Sequence, residues 1–381
     1  MRRVVVLTRA IVFVDTMFFA MLTPLLPRYA HEFGLSKAGA GILAAAYPAG
    51  VLAGAIPSGW VAGKIGVRWT AVGGLAIVAA TSATFGFGGS IELLDTARFV
   101  QGIGSAFAWT AALSWLVAAV ATDRRGALIG RTISFAIVGA LFGPALGGIA
   151  SEAGTRGTFT AVAVIALAVA AVAARTEAPA RGPEQSLGRV RAALRDGPLR
   201  TALWLVALPA LLYGTTAVLV PLRLSHLGVG AAAIGVVFVA AAGLEATVSP
   251  LSGRLADRRG RYYALSIALA ASAVGAAVLP WPDEAVLLGI VAVLAASAFG
   301  LAWAPAFALI ADAAESIGLE LAWAFALMNL AWAPGQALGS AAGGAIARAT
   351  SDAVPYLLLS ATCAATLLVL RRSTRSKPRP V

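Results

Sequence analysis

Residues 253–262 read GRLADRRGRY, and 194 positions earlier residues 59–68 read GWVAGKIGVR. Gly59 falls under Gly253, Gly66 under Gly260 and Lys64 under Arg258, whereas Asp257 has Gly63 for its counterpart. Both stretches interrupt long apolar runs. Glycines permit a tight reversal with positive φ, and basic side chains hold such a turn at an anionic inner leaflet. A basic turn repeated half a chain apart suggests two related halves, each crossing a membrane several times.

Composition agrees. Of 381 residues, 60% are hydrophobic and 12% charged, about half the charged share of a soluble domain. The net charge of +12 does not point to nucleic acid, because the arginines collect in short gaps between apolar runs and no aromatic-basic interleaving or zinc spacing accompanies them. The single cysteine, Cys363, excludes an intramolecular disulfide. The two histidines, His31 and His226, fall in separate loops, so no metal site, cofactor or catalytic constellation is expected and the chain does not read as an enzyme. No P-loop is present for a primary pump. The opening MRRVVVL imitates a signal peptide, but the apolar run continues to about Pro27 without a small-residue cleavage site, so it reads as a retained first helix.

A span needs roughly 20 apolar residues. Runs between charged or Gly/Pro breaks predict twelve transmembrane helices, at 4–28, 38–60, 69–89, 91–121, 127–151, 157–175, 200–223, 230–252, 262–280, 284–312, 319–347 and 353–371. The expected fold is all-α integral membrane, in two pseudo-symmetric six-helix bundles. Its divisions are residues 1–175, a cytoplasmic linker at 176–199 with a stretch fit for an amphipathic surface helix, and residues 200–381 with a short basic tail. With the N-terminus inside, 23 of the 29 Lys and Arg residues lie on the inner side and five on the outer. Both termini are therefore expected in the cytoplasm, in a bacterial-type inner (plasma) membrane.

At the 194-residue offset Pro27 also meets Pro221, Gly34 meets Gly228, Gly41 meets Gly235, Ser58 meets Ser252 and Trp109 meets Trp303. These pairs fall at corresponding helix ends and turns. Fused six-helix halves related by an axis along the membrane normal are a recognised transporter architecture.

Four motifs resemble the major facilitator superfamily, and within it the drug:proton antiporter branch. GRLADRRGRY matches the loop pattern G-x-x-x-D-R-x-G-R at Gly253, Asp257, Arg258, Gly260 and Arg261. The family keeps that loop best between the second and third spans. There this chain has Gly59 and Gly66 but Gly63 and Val67 in place of the acid and the last arginine, with Arg68 a near substitute. LDTARFVQGIGSA (94–106) resembles the efflux stretch around Arg98, Gln101, Gly102 and Gly104. GALFGPALGG (139–148) matches the antiporter-associated pattern at Gly139, Gly143, Pro144, Gly147 and Gly148, with an imperfect copy GQALGSAAGG at 335–344. The PLLP at 24–27 resembles the end of the first span in family exporters.

The residues carry their own physics. G-x-x-x-G spacing makes a groove for a neighbouring backbone, and Pro144 favours a bend. Asp15 lies mid-run in the first span. A carboxylate there is either held by hydrogen bonds for packing or carries a proton. Arg98 is seven residues inside its span, roughly 10 Å deep at 1.5 Å per residue. It either faces the bundle interior with a partner or snorkels outward. Glu245 is a second isolated acid, read equally as a proton site or as a partner for an arginine. Asp257 reads as a latch acid meeting the inner end of the fifth span near Arg124 or Arg125, while 59–68 reads as a plain positive-inside turn. Asp312, Glu315 and Glu320 read as solvated or capping.

In the family's fold, spans 1, 4, 7 and 10 line a central cavity. The resemblance therefore implies Phe18, Met21, Gln101, Trp109, Tyr213, Trp303, Asn329 and Trp332 as candidates, with Trp109 and Trp303 as opposite walls for a flat or cationic ligand. Trp60, Trp69, Trp204, Trp281 and Trp323 read as interfacial anchors. The expectation is a monomeric, membrane-embedded transporter that exports a small amphipathic molecule in exchange for protons by alternating access. Asp15, Arg98 and Glu245 would couple the proton. The alternative is uptake or facilitated exchange of a small metabolite without proton antiport.

Overall fold

In a hydrocarbon core every backbone N–H and C=O must be satisfied within its own segment, so apolar runs of this length fold as helices. The computed structural model describes residues 2–119, 125–178, 195–318 and 321–375, with side chains omitted at 117, 125–131, 133, 321–326 and 373–375. Among the described residues there are thirteen α-helices and no strand. They are α1 (Arg2–Glu32), α2 (Lys37–Ile65), α3 (Val67–Phe87), α4 (Ile91–Ala118), α5 (Arg125–Ala153) and α6 (Thr155–Ala174). There follow α7 (Gly197–His226), α8 (Ala231–Arg259), α9 (Arg261–Val278), α10 (Ala285–Gly300), α11 (Trp303–Ser316), α12 (Leu321–Ala349) and α13 (Ala353–Arg375). Ten stretches among the described residues are long and apolar enough to cross a membrane. Most of the stretch expected to carry the surface helix, 179–194, lies outside the described residues.

The tenth span differs from expectation. Instead of one helix it is α10 and α11 end to end, separated by a turn at Leu301–Ala302. Pro305 explains the break: it has no N–H to offer the carbonyl four residues back, which is that of Leu301. Ser252 Oγ on α8 donates to that carbonyl at 2.6 Å and replaces the lost bond. In α4, which corresponds to this span, no proline occurs and the helix is continuous.

The chain falls into two compact units. The first is Met1–Leu35, Ile42–Val190 and Gly230–Val239; the second is Ser36–Gly41, Arg191–Val229 and Ala240–Val381. Within the first, α1 packs along α5, and α3 along α4 and α6. Within the second the equivalent pairs recur, α7 along α12, and α9 along α13 and α10. The repeat is legible atom by atom. A methyl group at Gly139, Gly143 or Gly147 of α5 would strike the carbonyl of Phe13, Met17 or Met21 on α1. The same addition at Gly335, Gly339 or Gly343 of α12 would strike Ala207, Leu211 or Thr215 on α7, each 194 residues beyond its counterpart. Both glycine stripes are grooves that seat a neighbouring helix at backbone distance.

Burial follows the same logic. Near the start of α1 the first unit has a core of Val4, Leu7, Ile11, Leu75 and Trp115 with small alanines from α3, α4 and α6. Large apolar side chains such as Phe87, Val236, Val286 and Val369 stand exposed on the outer surface, as suits lipid rather than water. The two basic turns reverse on glycines in the left-handed region, Gly66 at φ 86° and Gly260 at φ 90°. Gly34 and Gly228 form a second such pair, at 60° and 85°.

Candidate functional site

Asp15 is 3% exposed and lies where α1 sits in the glycine groove of α5. The approach of α2 to α4 supplies its partners. Gly102 of α4 faces the backbone of Tyr47 so closely that a methyl there would collide with it, and this brings Tyr47 beside Ser105 and Trp109. Asp15 Oδ2 accepts from Tyr47 Oη at 2.9 Å, Ser105 Oγ at 2.8 Å and Trp109 Nε1 at 2.7 Å. Tyr47 Oη is also 2.7 Å from Ser105 Oγ.

Four contacts thus share three hydrogens, one each from Tyr47, Ser105 and Trp109. With Asp15 ionised, one pair of oxygens in the Asp15–Tyr47–Ser105 triangle faces without a hydrogen between them. A proton on Asp15 supplies the missing one. The second carboxylate oxygen, Oδ1, is buried and has no hydrogen-bond partner, so the group is enclosed apart from its Oδ2 donors.

Arg98 turns inward and is 4% exposed; it does not snorkel. Its guanidinium donates to Gln101 Oε1 at 2.7 Å and to the α1 carbonyls of Phe18 (3.4 Å) and Phe19 (3.0 Å). Gln101 in turn donates to Ser82 Oγ at 3.3 Å. The guanidinium lies 5.0 Å from the centre of the Tyr47 ring, whose hydroxyl meets Asp15. Arg98 therefore reaches Asp15 through Tyr47 and the α1 backbone, and positions both.

Glu245 on α8 stands in the second unit. Tyr213 Oη is 2.5 Å from Glu245 Oε2 and 2.7 Å from the carbonyl of Ala296. One hydroxyl hydrogen serves two acceptors, so a proton on Glu245 would complete this pair as well. Among the described residues Glu245 forms no ion pair. Tyr213 stacks on Trp303 with ring centroids 5.8 Å apart, and Trp303 on Phe307 at 5.5 Å. Phe299 meets Tyr213 edge-on at 5.9 Å.

The cavity candidates divide by burial. Phe18, Met21 and Gln101 are packed inside the first unit, Met21 against the glycine groove. Trp109, Tyr213, Trp303, Asn329 and Trp332 are half-buried. In the α5 motif, Gly139, Gly143 and Gly147 face α1, while Gly148 faces Ala232 within the same unit; Pro144 is buried beside them.

At the turns, Gly59, Gly253 and Arg258 occupy helix ends, and Arg68 lies 5.4 Å over the Trp69 ring. Lys64 lies 3.9 Å over the Trp60 ring. Asp257 is exposed and forms no ion pair among the described residues, and the side chains of Arg124 and Arg125 lie outside them. Within GRLADRRGRY, Arg261 donates to the carbonyl of Ala308 at 2.7 Å and forms an ion pair with Asp312. Asp312 is thus an exposed acid that also partners the turn. Trp60, Trp69, Trp204 and Trp281 are exposed near helix ends.

Sequence reasoning missed Tyr47, Ser105 and Ser82. Tyr47 sits in an apolar run with no motif around it. Its proximity to Asp15 depends on the Gly102 contact, although a tyrosine in mid-span is itself a signal.

A family model described as Major Facilitator Superfamily matches residues 10–333. A 98-residue stretch is 35% identical to "MFS-type transporter ppzB" of Metarhizium majus, over 26% of this chain and 22% of that protein. "Multidrug resistance protein 1" of Bacillus subtilis is 25% identical over 173 residues, 45% of this chain and 44% of that one. These matches span well under two thirds of either relative. Among solved structures, an inward-facing, unoccupied bacterial homologue of the human lysosomal transporter Spinster superposes with a TM-score of 0.78 at 15% identity, over 99% of this chain and 98% of that one. At that identity the likeness concerns the fold.

Proposed function

The chain belongs to the Major Facilitator Superfamily, and on that premise we propose that it is a secondary transporter exporting an amphipathic small molecule in exchange for protons. The observation that carries this reading is the Asp15 cluster. It is an enclosed carboxylate with three donors on one oxygen, in a geometry one hydrogen short until a proton is added. Such a group holds a proton in one state and releases it when the surrounding helices separate. Arg98, bound to the α1 carbonyls at Phe18 and Phe19, ties the position of Asp15 to that of α4. A shift of α1 along its glycine groove would then change the donor set of the acid. The halves alternate access to a mid-membrane site, and occupancy biases the exchange only by its differential affinity for the two states. The partial likeness to "Multidrug resistance protein 1" supports efflux. The protein works as a monomer in the plasma membrane with both termini cytoplasmic, as the arginine distribution suggests.

The test uses everted membrane vesicles carrying the protein and acidified inside by respiration. Amphipathic compounds, ethidium first, are added while a weak-base dye reports the pH gradient. The expected result is substrate-dependent dequenching that is absent with Asp15→Asn. Equal dequenching from the variant, with equal amounts of protein in the membrane, would refute proton coupling through Asp15.

A further inference from the structure

The turn at 59–68 lacks the acid of its repeat, and its surroundings indicate what the bare cations can take instead. No aspartate or glutamate occurs between Glu32 and Glu92, so α2, α3 and the turn joining them carry positive charge alone. Lys64 and Arg68 stand on either side of the Gly66 reversal, and among the described residues neither forms an ion pair. Arg68 Nε is buried without a hydrogen-bond partner. Val67 packs on the core that holds Val4 and Leu7, which brings the start of α1, with exposed Arg2 and Arg3, to the same end of the unit.

Each cation of the turn is joined to an exposed ring. Lys64 Nζ lies 3.9 Å over Trp60 and the Arg68 guanidinium 5.4 Å over Trp69. The two indoles are 61% and 50% exposed, and tryptophan in such a position favours the headgroup level of a bilayer. Earlier on α2, Leu52 and Ile56 are exposed as well. Spaced four apart, Leu52, Ile56, Trp60 and Lys64 form one stripe along the helix, apolar first and charged at its end. Beside it Gly59 and Gly63 leave open space where side chains would stand. The stripe has the polarity of a single lipid, from acyl chain through interface to an anionic head.

The second turn is built otherwise. Arg254 takes the place of Trp60, Asp257 that of Gly63, and Arg261 is already paired with Asp312. A zwitterionic headgroup brings an ammonium that needs an acid, and the first turn has none to offer. A purely anionic headgroup brings the counter-charge that Lys64 and Arg68 lack.

We infer that Trp60, Lys64, Arg68 and Trp69 form a site for one anionic glycerophospholipid, its phosphate meeting both basic groups and an acyl chain lying along Leu52 and Ile56. The missing acid of the first turn is then the condition for lipid binding there. The site is separate from proton coupling at Asp15.

The experiment titrates the purified full chain in detergent micelles with phosphatidylglycerol or phosphatidylcholine and reads retained lipid by native mass spectrometry. Saturable retention of phosphatidylglycerol is expected, with phosphatidylcholine released. Removing two basic contacts in Lys64→Gln/Arg68→Gln should weaken retention roughly tenfold or more, whereas Arg254→Gln/Arg258→Gln should change it less than about twofold. On the unmodified chain in nanodiscs, phosphatidylglycerol should slow acetylation of Lys64 several-fold relative to Lys37, so the answer does not depend on a variant folding. Four results overturn the inference: equal retention of the two lipids, unchanged affinity in Lys64→Gln/Arg68→Gln, an equal loss from the second-turn variant, or equal acetylation of Lys64 in both lipids. Displacement of the lipid by equimolar inorganic phosphate also overturns it, because the turn would then read a free anion. Each of these leaves the vesicle result for Asp15 standing.

Discussion

Each unit holds one membrane-embedded acid, one tyrosine and one tryptophan in contact, yet the parts have changed places. In the first, the acid is on α1 (Asp15) and the tyrosine on α2 (Tyr47). In the second, the tyrosine is on α7 (Tyr213), the counterpart of α1, and the acid on α8 (Glu245), the counterpart of α2. The 194-residue offset maps Asp15 to Pro209 and Tyr47 to Ala241, so both members of the second pair lie four residues farther on, one helical turn. Trp109 and Trp303 stay in register, but the first donates to its acid and the second stacks on its tyrosine. The scaffold grooves are duplicated faithfully while the polar groups are not. A two-fold scaffold can therefore carry two arrangements: an acid with three donors on one oxygen, and an acid that meets a single tyrosine hydroxyl beside stacked rings.

That comparison can be attacked in order of expected effect. Leucine at Gly143 or at Gly339 puts a side chain into the backbone of α1 or α7. Each should lower stability by ~1–3 kcal/mol, the usual range for overpacking. A clear fall in detergent unfolding temperature for both would show that the grooves are equivalent; a fall for one alone would break the symmetry of the scaffold. Next come the tyrosines. Losing one hydrogen bond costs about 1 kcal/mol, or roughly fivefold in an equilibrium. Tyr47→Phe should weaken gradient-driven dequenching by about that factor. Tyr213→Phe leaves Asp15 and its donors in place and should weaken it by less. If Tyr213→Phe had the larger effect, the two acids would have been assigned the wrong way round.

The smallest effect belongs to the turn that first showed the repeat. Arg261 and Asp312 are partly exposed, and such pairs contribute ~0–1 kcal/mol. Asp312→Ala should shift the unfolding temperature by at most a degree or two, while Asp257→Asn leaves it unchanged. An effect of Asp257→Asn on transport, with stability unchanged, would support that acid as a latch.

How much of this the sequence carried follows from range. Helix spans and glycine grooves were legible because they depend on local periodicity and on spacing within one helix, as at Gly139, Gly143 and Gly147. Asp15 and Arg98 stood out because charge in an apolar run is costly. Partners were not legible. Tyr47 reaches Asp15 only because Gly102 admits the α2 backbone, and Asp312 reaches Arg261 across two helices. The break at Leu301 had a local sign, Pro305, but a proline in a span predicts a bend more readily than a full stop. The exchange of acid and tyrosine between helices appears only when both clusters are seen in three dimensions.

The central claim is that Asp15 carries the proton that drives transport, and the most direct measurement is accumulation in proteoliposomes. Ethidium uptake into liposomes enclosing DNA is followed by fluorescence under an imposed pH gradient, and again with the gradient collapsed. The wild-type protein should concentrate ethidium only with the gradient, while Asp15→Asn should equilibrate it without concentrating it. An Asp15→Asn protein that concentrates ethidium as the wild type does would contradict the account.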